Sequence, residues 1–390
     1  MANKQNLSGI KVVDADTHLT EAPDLWTSRA PAAWRERVPQ LKVIDGVNKW
    51  AIDGVPMRLN AQASSVVHKD GHKGPCVDAM TMTIEQAHPA CYEAEARVAM
   101  MDKAGIWAQI AYPNILGFGG QRSPTNDPEL KLMCIQIFND AMAEFQERSG
   151  NRIFPMALIP WWDIDAAVKE VRRVKALGLR GVNTNSDPQD QNLPDLGEAH
   201  WYPLWETCSE LGLPVNFHIG ASDTSSSWFG TMTWPSLNIN QKVALGSAML
   251  FLGNARVLAN LIYTGVPERF PNLKFVSVES GVGWIPFVLE MLDYQANETA
   301  PGSMSALSMK PSEYFKRQFY GCFWFEKRNF ARSLEAVGTD NLLFETDFPH
   351  PTCLYPNAMD HAAEALHDVD LETCRKVLGG NAAKLYSLPI

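Results

Sequence analysis

The stretch Lys11-Val12-Val13-Asp14-Ala15-Asp16-Thr17-His18-Leu19-Thr20-Glu21 decides how the chain reads. Its first half is a short apolar run of the kind found in strands buried on both faces. Asp16 and His18 stand two residues apart, so on a strand both side chains point to the same face. Similar runs, each bounded by Gly, Pro, Asn or Asp, recur at Trp107–Tyr112, Ile153–Pro160, Gly181–Thr184, Val215–His218, Phe275–Glu279, Phe319–Phe323 and Leu342–Asp347. Between them, amphipathic spacing predicts helices over Cys91–Lys103, Asp127–Arg148, Ile164–Leu177, Pro203–Leu211, Lys242–Tyr263, Ile285–Ala296 and Arg328–Ala336. Gly178-Leu179-Arg180-Gly181 reads as a helix C-cap turning directly into the next strand. Eight strands alternating with helices imply an α/β fold, a closed (β/α)8 TIM barrel, as one domain over residues 1–390. A doubly wound sheet is the weaker alternative, because no Gly-x-Gly-x-x-Gly follows the first strand.

The region Leu19–Ala90 breaks the alternation. It is polar and rich in Pro, Gly and His, with a possible small hairpin at Lys49–Met57. A connection that long in a compact protein is usually a lid or inserted subdomain. Because it follows the first strand, it is expected over the C-terminal face of the barrel, where active sites form.

Composition narrows the function. The 390 residues are 46% apolar and 20% charged, which excludes general disorder. A net charge of −10 with scattered Lys and Arg lacks the basic stripe that nucleic acid requires. The longest apolar run, Val243–Leu252, falls short of the ~18 residues of a membrane span. Met1-Ala2-Asn3-Lys4-Gln5-Asn6 lacks the apolar region of a signal peptide, so a soluble cytoplasmic protein, in a homo- or hetero-oligomer, is expected. Seven cysteines at wide spacings, with no Cys-x-x-Cys, read as free and mostly buried thiols.

Residues that can bind metal gather at the C-terminal ends of the predicted strands. The first strand contributes Asp16 and His18, with Glu21 three residues on, where it can fold back over the same point. The fifth ends at His218 and the sixth at Glu279, while the eighth offers Asp347 and then His350. A lone strand-end Asp is usually a helix cap, and a lone His usually a satisfied polar residue. Their coincidence at four strand ends is harder to assign to capping. Four uncompensated carboxylates in one place would repel and raise one another's pKa values, which one or two divalent cations would relieve.

Asp16-x-His18, His218 after strand five, and Thr346-Asp347-Phe348-Pro349-His350 after strand eight resemble the amidohydrolase superfamily. The branch most similar holds the amidohydrolase-related decarboxylases and carbon–carbon hydrolases, and the resemblance covers nearly the whole chain. It implies that Asp16, His18, His218 and Asp347 are metal ligands. Three departures stand out. Asp16 replaces the first His of the usual His-x-His, Asn183 stands where two-metal hydrolases often carry a bridging modified Lys or a Glu, and Glu279 replaces a His. The remaining inventory of about four carboxylates and two or three imidazoles suits Fe and Mn better than Zn. It also matches the ligand count of dinuclear carboxylate iron proteins. In type the chain is similar to the dinuclear amidohydrolase-fold hydroxylases, such as that of 2-aminoisobutyrate.

The leading expectation is therefore an O2-dependent hydroxylase of a small organic or amino acid, supplied by an electron donor. It would carry two Fe, or Fe and Mn, with Glu21 and Glu279 creating the second metal position. The alternative is a hydrolase or decarboxylase of a small (aromatic) carboxylic acid, using one Zn or Mn as Lewis acid. In it Asp347 is the base and His350 the second candidate catalytic residue. A non-catalytic subunit with a structural metal is the third reading.

Other motifs carry less. Gly117-Phe118-Gly119-Gly120 has no following Gly-Lys-Ser/Thr, so it reads as a tight loop at the barrel mouth rather than a phosphate cradle. Ser222–Ser227 is a solvated or substrate-contacting loop, and Trp284 a packing residue or pocket wall. His68, His72 and His88 read as polar loop residues, and no Gly-x-Ser-x-Gly supports a serine hydrolase.

Overall fold

The computed structural model describes residues 6–57, 61–118, 125–227, 234–299, 302–303, 307–328 and 330–389. Parallel strands form a closed ring: β1 (Val12–His18), β2 (Ile106–Tyr112), β3 (Ile153–Pro155 and Ala157–Leu158, interrupted at Met156), β4 (Val182–Asn183), β5 (Val215–His218), β6 (Phe275–Val278), β7 (Phe319–Phe323) and β8 (Leu342–Phe344). Each is hydrogen-bonded in parallel to its sequence neighbour, with Met156 dividing the ladder within β3. Closure comes just past β8, where Phe348 bridges Thr17, the Asp347 N–H donates to Asp16 O at 3.0 Å, and the His18 N–H donates to Phe348 O at 2.7 Å. The chain is thus the (β/α)8 barrel that its alternation implies.

Burial explains the sequence pattern. All seven residues of β1 are buried, as are all four of β5 and of β6, because helices cover the outside while side chains fill the inside. Val13, Ala108, Phe154, Val276, Cys322 and Leu343 pack in the barrel interior. All seven cysteines are free, and only Cys76 is exposed.

The local backbone corrects two expectations and extends a third. The helix predicted over Lys242–Tyr263 is two helices, Ile239–Leu250 and Gly253–Tyr263. Asn254 fixes the second by donating to Phe217 O at 2.8 Å and Ser277 Oγ at 3.0 Å, which ties it to β5 and β6. Together they make Asn240–Tyr263 long and apolar enough to cross a membrane by composition, a length that the run Val243–Leu252 alone does not reach. The second helix nevertheless buries Val257, Leu258, Leu261 and Ile262 within the fold. The sixth and eighth strands also stop short of their expected ends, at Val278 and Phe344, leaving Glu279 and Asp347 in turns. Finally, the hairpin at Lys49–Met57 belongs to a three-stranded antiparallel sheet, Gln40–Ile44, Val47–Ile52 and Val55–Pro56. Asp45-Gly46 and Asp53-Gly54 make its turns, all four residues at positive φ, as two-residue hairpin loops demand.

The C-terminal helical segment Lys376–Gly380 packs under the start of β1. A Cβ on Gly379 would lie 2.0 Å from Lys11 O, a main-chain atom that cannot step aside. Gly379→Ala is expected to lower the unfolding free energy by about 1–3 kcal/mol. Denaturant titration of the two proteins checks this, and equal midpoints would refute it.

Candidate metal centre

Four strand exits deliver polar side chains to one point. On β1, the two-residue spacing of Asp16 and His18 places both inside the ring, fully buried. His218 enters from the end of β5, Glu279 from the turn after β6, and Asp347 and His350 from the turn after β8. Glu279 and Asp347 have φ of +55° and +57°, a left-handed backbone that favours glycine. Non-glycine residues held in this conformation point to a functional constraint.

The donor atoms converge. His18 Nε2 lies 3.1 Å from His218 Nε2, 3.6 Å from Asp16 Oδ1 and 3.7 Å from Asp347 Oδ1. His218 Nε2 is 3.2 Å from Glu279 Oε2 and 3.7 Å from Asp16 Oδ1. Asp16, His18, His218 and Glu279 form one group with ligand atoms mutually within 4.8 Å, and His18, Glu279, Asp347 and His350 form another that shares two of its members. Donors about 2.1 Å from a common ion stand roughly 3–4 Å from one another, so this spacing fits a divalent cation. Both Asp16 oxygens and Asp347 Oδ1 are buried without a hydrogen-bond partner, a costly condition for a carboxylate that a cation would relieve.

Electrostatics agrees. Burial, then the negative charge of Asp347, raises the Asp16 carboxyl, although His218 opposes the shift. Burial also pushes Glu279 well above the carboxylate range, helped by Asp347 and Asp16. His18 is driven well below the usual imidazole value by burial and by His350 and His218, which favours the neutral, metal-binding form. His218 Nδ1 lies 2.8 Å from Ile219 O, an acceptor, so Nδ1 carries the proton and Nε2 turns its lone pair to the site.

Glu21 is the sequence candidate that does not join. Its Oε1 accepts from the backbone N–H groups of Asn114 and Ile115 at 2.8 and 2.9 Å, so it caps the loop after β2. It is in neither ligand group, and the second metal position expected from Glu21 and Glu279 is not assembled. The donor set is three carboxylates and three imidazoles, one carboxylate fewer than the four expected. Asn183 donates to Phe118 O, and Trp284 Nε1 donates to Ser280 O at 2.9 Å. His68 and His72 pair with Asp78 and Asp70, and His88 caps the turn at Ala90. Gly119 and Gly120 lie outside the described residues.

Several site residues escape a reading of strand ends. The Phe118 ring stacks on His218 at 4.3 Å and meets the edge of His18 at 5.2 Å, giving the site an aromatic wall. Glu345, fully buried, accepts the Glu279 N–H at 3.1 Å; its two-residue spacing from Asp347 was the available signal. Arg97, fully buried, donates to the main-chain oxygens of His18 and Ala90 and to Gln109 Oε1. Nothing in a helical Arg at that position announces such a role.

Known proteins point the same way. γ-Resorcylate decarboxylase of Polaromonas sp. is 26% identical over 309 residues, 75% of this chain and 87% of that protein. 2-Amino-3-carboxymuconate-6-semialdehyde decarboxylase of Dictyostelium discoideum is 22% identical over 306 residues, 76% and 77% of the two chains. Among solved structures, an amidohydrolase from Mycobacterium avium subsp. paratuberculosis aligns with a TM-score of 0.76 at 23% identity, over 98% of this chain and 99% of that one. Dihydroxybenzoic acid decarboxylase from Polaromonas sp., with bound manganese and the inhibitor 2-nitroresorcinol, aligns with a TM-score of 0.62 at 19% identity over 97% of both. These relatives overturn the hydroxylase expectation, with its two Fe or Fe and Mn ions, O2 and electron donor. The physical error lay in counting carboxylates without knowing where they face, since Glu21 is held by backbone amides. The amidohydrolase family model matches residues 13–388, nearly the whole barrel, and the chain belongs to that family.

Proposed function

We propose that this chain is a metal-dependent decarboxylase of small aromatic carboxylic acids. The observation that carries the reading is the convergence of three buried carboxylates and three imidazoles at one barrel mouth. The decarboxylase names of the relatives supply the reaction class. Asp16, His18, His218, Glu279 and Asp347 would hold the ion, and manganese in the Polaromonas structure makes Mn the first candidate. The bound ion would act as a Lewis acid toward the oxygens of the substrate.

The chain's own groups supply the rest. Phe118 offers a flat apolar surface against which an aromatic ring can lie. Asn114 Nδ2 donates to Leu19 O, which turns its Oδ1 toward His350 Nε2 at 2.9 Å and fixes the proton on that nitrogen. His350 Nδ1 then faces Asp347 Oδ1 at 3.0 Å. Decarboxylation breaks the ring-to-carboxyl bond, releases CO2 and leaves the electron pair on the ring carbon. His350, beside Asp347 at the barrel mouth, would deliver a proton to that carbon.

We also propose that residues 19–90 form the lid. Its support is a set of contacts to the β8 exit loop: the Val66 N–H donates to Pro349 O at 3.0 Å, and the Tyr355 hydroxyl to Gly71 O at 2.8 Å.

The manganese-loaded protein should release CO2 from at least one member of a panel of hydroxylated benzoic acids, at equal rates under air and under argon. A panel with no turnover would sink the reading. His218→Ala should lower metal affinity on the order of 100-fold while leaving the circular dichroism spectrum unchanged; elemental analysis after dialysis is the check. His350→Gln should slow CO2 release roughly 10²–10⁴-fold with the metal content retained. Unchanged turnover in that variant would remove His350 from the proton path.

A further inference from the structure

Glu21 stands outside both groups of candidate ligands, yet it is buried, with 2% of its surface exposed. Burial lifts its carboxyl to about 7, even though Oε1 accepts the backbone N–H groups of Asn114 and Ile115. Its Oε2 is buried with no hydrogen-bond partner. The residue before it is held twice, the Thr20 hydroxyl donating to Ala63 O at 2.5 Å and the Thr20 N–H to Cys91 O at 2.9 Å. A short polar side chain at the surface caps a loop without such a loss of hydration, so a cap alone does not account for Glu21. The bonds continue toward the barrel mouth. Asn114 is fixed at three points: its N–H by Glu21 Oε1 at 2.8 Å, its Nδ2 by Leu19 O at 2.8 Å, and its Oδ1 by His350 Nε2 at 2.9 Å. An amide oxygen only accepts, so the nitrogen that faces it carries a proton. Were the amide turned over, Nδ2 would face His350 and require a bare Nε2, while Oδ1 would meet the Leu19 carbonyl. The orientation of one amide thus sets the protonation of a ring that stacks on His18 at 3.6 Å and faces Asp347 Oδ1 at 3.0 Å.

We propose that Glu21 is a positioning residue for His350: by anchoring the main chain of Asn114, it orients the amide that keeps a proton on His350 Nε2. Glu21 touches neither the candidate ligands nor His350 and acts through Asn114 alone. Its effect on rate rests on the reading of His350 as proton donor, whereas its effect on the Nε2 proton does not. A plain loop cap behaves differently, since its loss lowers stability and leaves that proton where it is.

Nitrogen-15 NMR of the full-length protein, labelled at histidine and loaded with zinc to avoid broadening by manganese, reads that proton directly. The wild type should show a bonded Nε2 proton on His350, assigned by its disappearance in His350→Gln. Asn114→Ala and Glu21→Ala should each lose the signal to exchange with water. Glu21→Gln, which keeps an acceptor oxygen, should restore it. Glu21→Asp, too short to reach both amides, should lose it as well and serves if Glu21→Ala does not fold. In the manganese-loaded enzyme, Glu21→Ala should slow CO2 release roughly 10–100-fold, with KM and metal content unchanged. Because Glu21 acts through Asn114, the double variant should be no slower than the slower single one. Additive losses, or Glu21 variants that keep the Nε2 proton and merely melt at lower temperature, would overturn the proposal. A wild type that shows the proton but releases no CO2 would sink the decarboxylase reading instead, and the NMR of the Glu21 variants would still decide this one.

Discussion

A buried hydrogen-bonded pair, Asp14 with Thr346, holds the first and last strands together, and the site depends on it. Asp14 accepts from the Thr346 N–H at 2.8 Å and from its hydroxyl at 2.6 Å, across 332 residues of sequence. Gln109 Nε2 adds a third donor at 3.0 Å. Burial still wins against these bonds and raises the Asp14 carboxyl to about 7. Asp16 and Asp347 flank this pair, and the Asp347 N–H donates to Asp16 O. The distance between two candidate ligands is therefore set by main chain rather than by flexible side chains. Arg97 extends the network from Gln109 to the carbonyl of His18 and on to Ala90, at the far end of the long insertion. Connected buried hydrogen bonds of this kind polarise and stiffen one another.

Much of this was legible in the sequence because strands and barrels impose short, rigid rules. Two-residue spacing on a buried strand put Asp16 beside His18, and the alternation of strands with helices put His218 and Asp347 at the same end of the ring. Glu21 was not legible, since three residues into a loop nothing in the local sequence says whether a carboxylate faces inward or finds amides contributed by another segment. Glu279 and Asp347 were placed at the right strand ends, but the turns that aim them depend on left-handed backbone that the sequence does not advertise. The break between Leu250 and Gly253 was hidden by continuous apolarity, because what divides the helices is the docking of Asn254 against two strands.

Misreading Glu21 also misdirected the chemistry. Four inward carboxylates resemble an iron site that activates oxygen, whereas three carboxylates and three imidazoles with an aromatic wall suit a single Lewis-acidic ion and a flat acid. One carboxylate's partner separates the two readings. Ligand type alone leaves both open, as softness and geometry rules overlap for Mn and Fe.

The left-handed backbone at Glu279 and Asp347 bears on how such a barrel responds to selection. Each residue holds a conformation that costs about 1 kcal/mol for a side chain bearing a Cβ and little for glycine. Replacing Glu279 with glycine would also remove a buried carboxylate that desolvation disfavours. A laboratory lineage evolved for heat tolerance alone would thus gain by discarding these two positions. The residues proposed to hold the ion are the ones that such a lineage would lose first, so heat tolerance in this chain has to be sought elsewhere in the barrel while residues 279 and 347 are held constant.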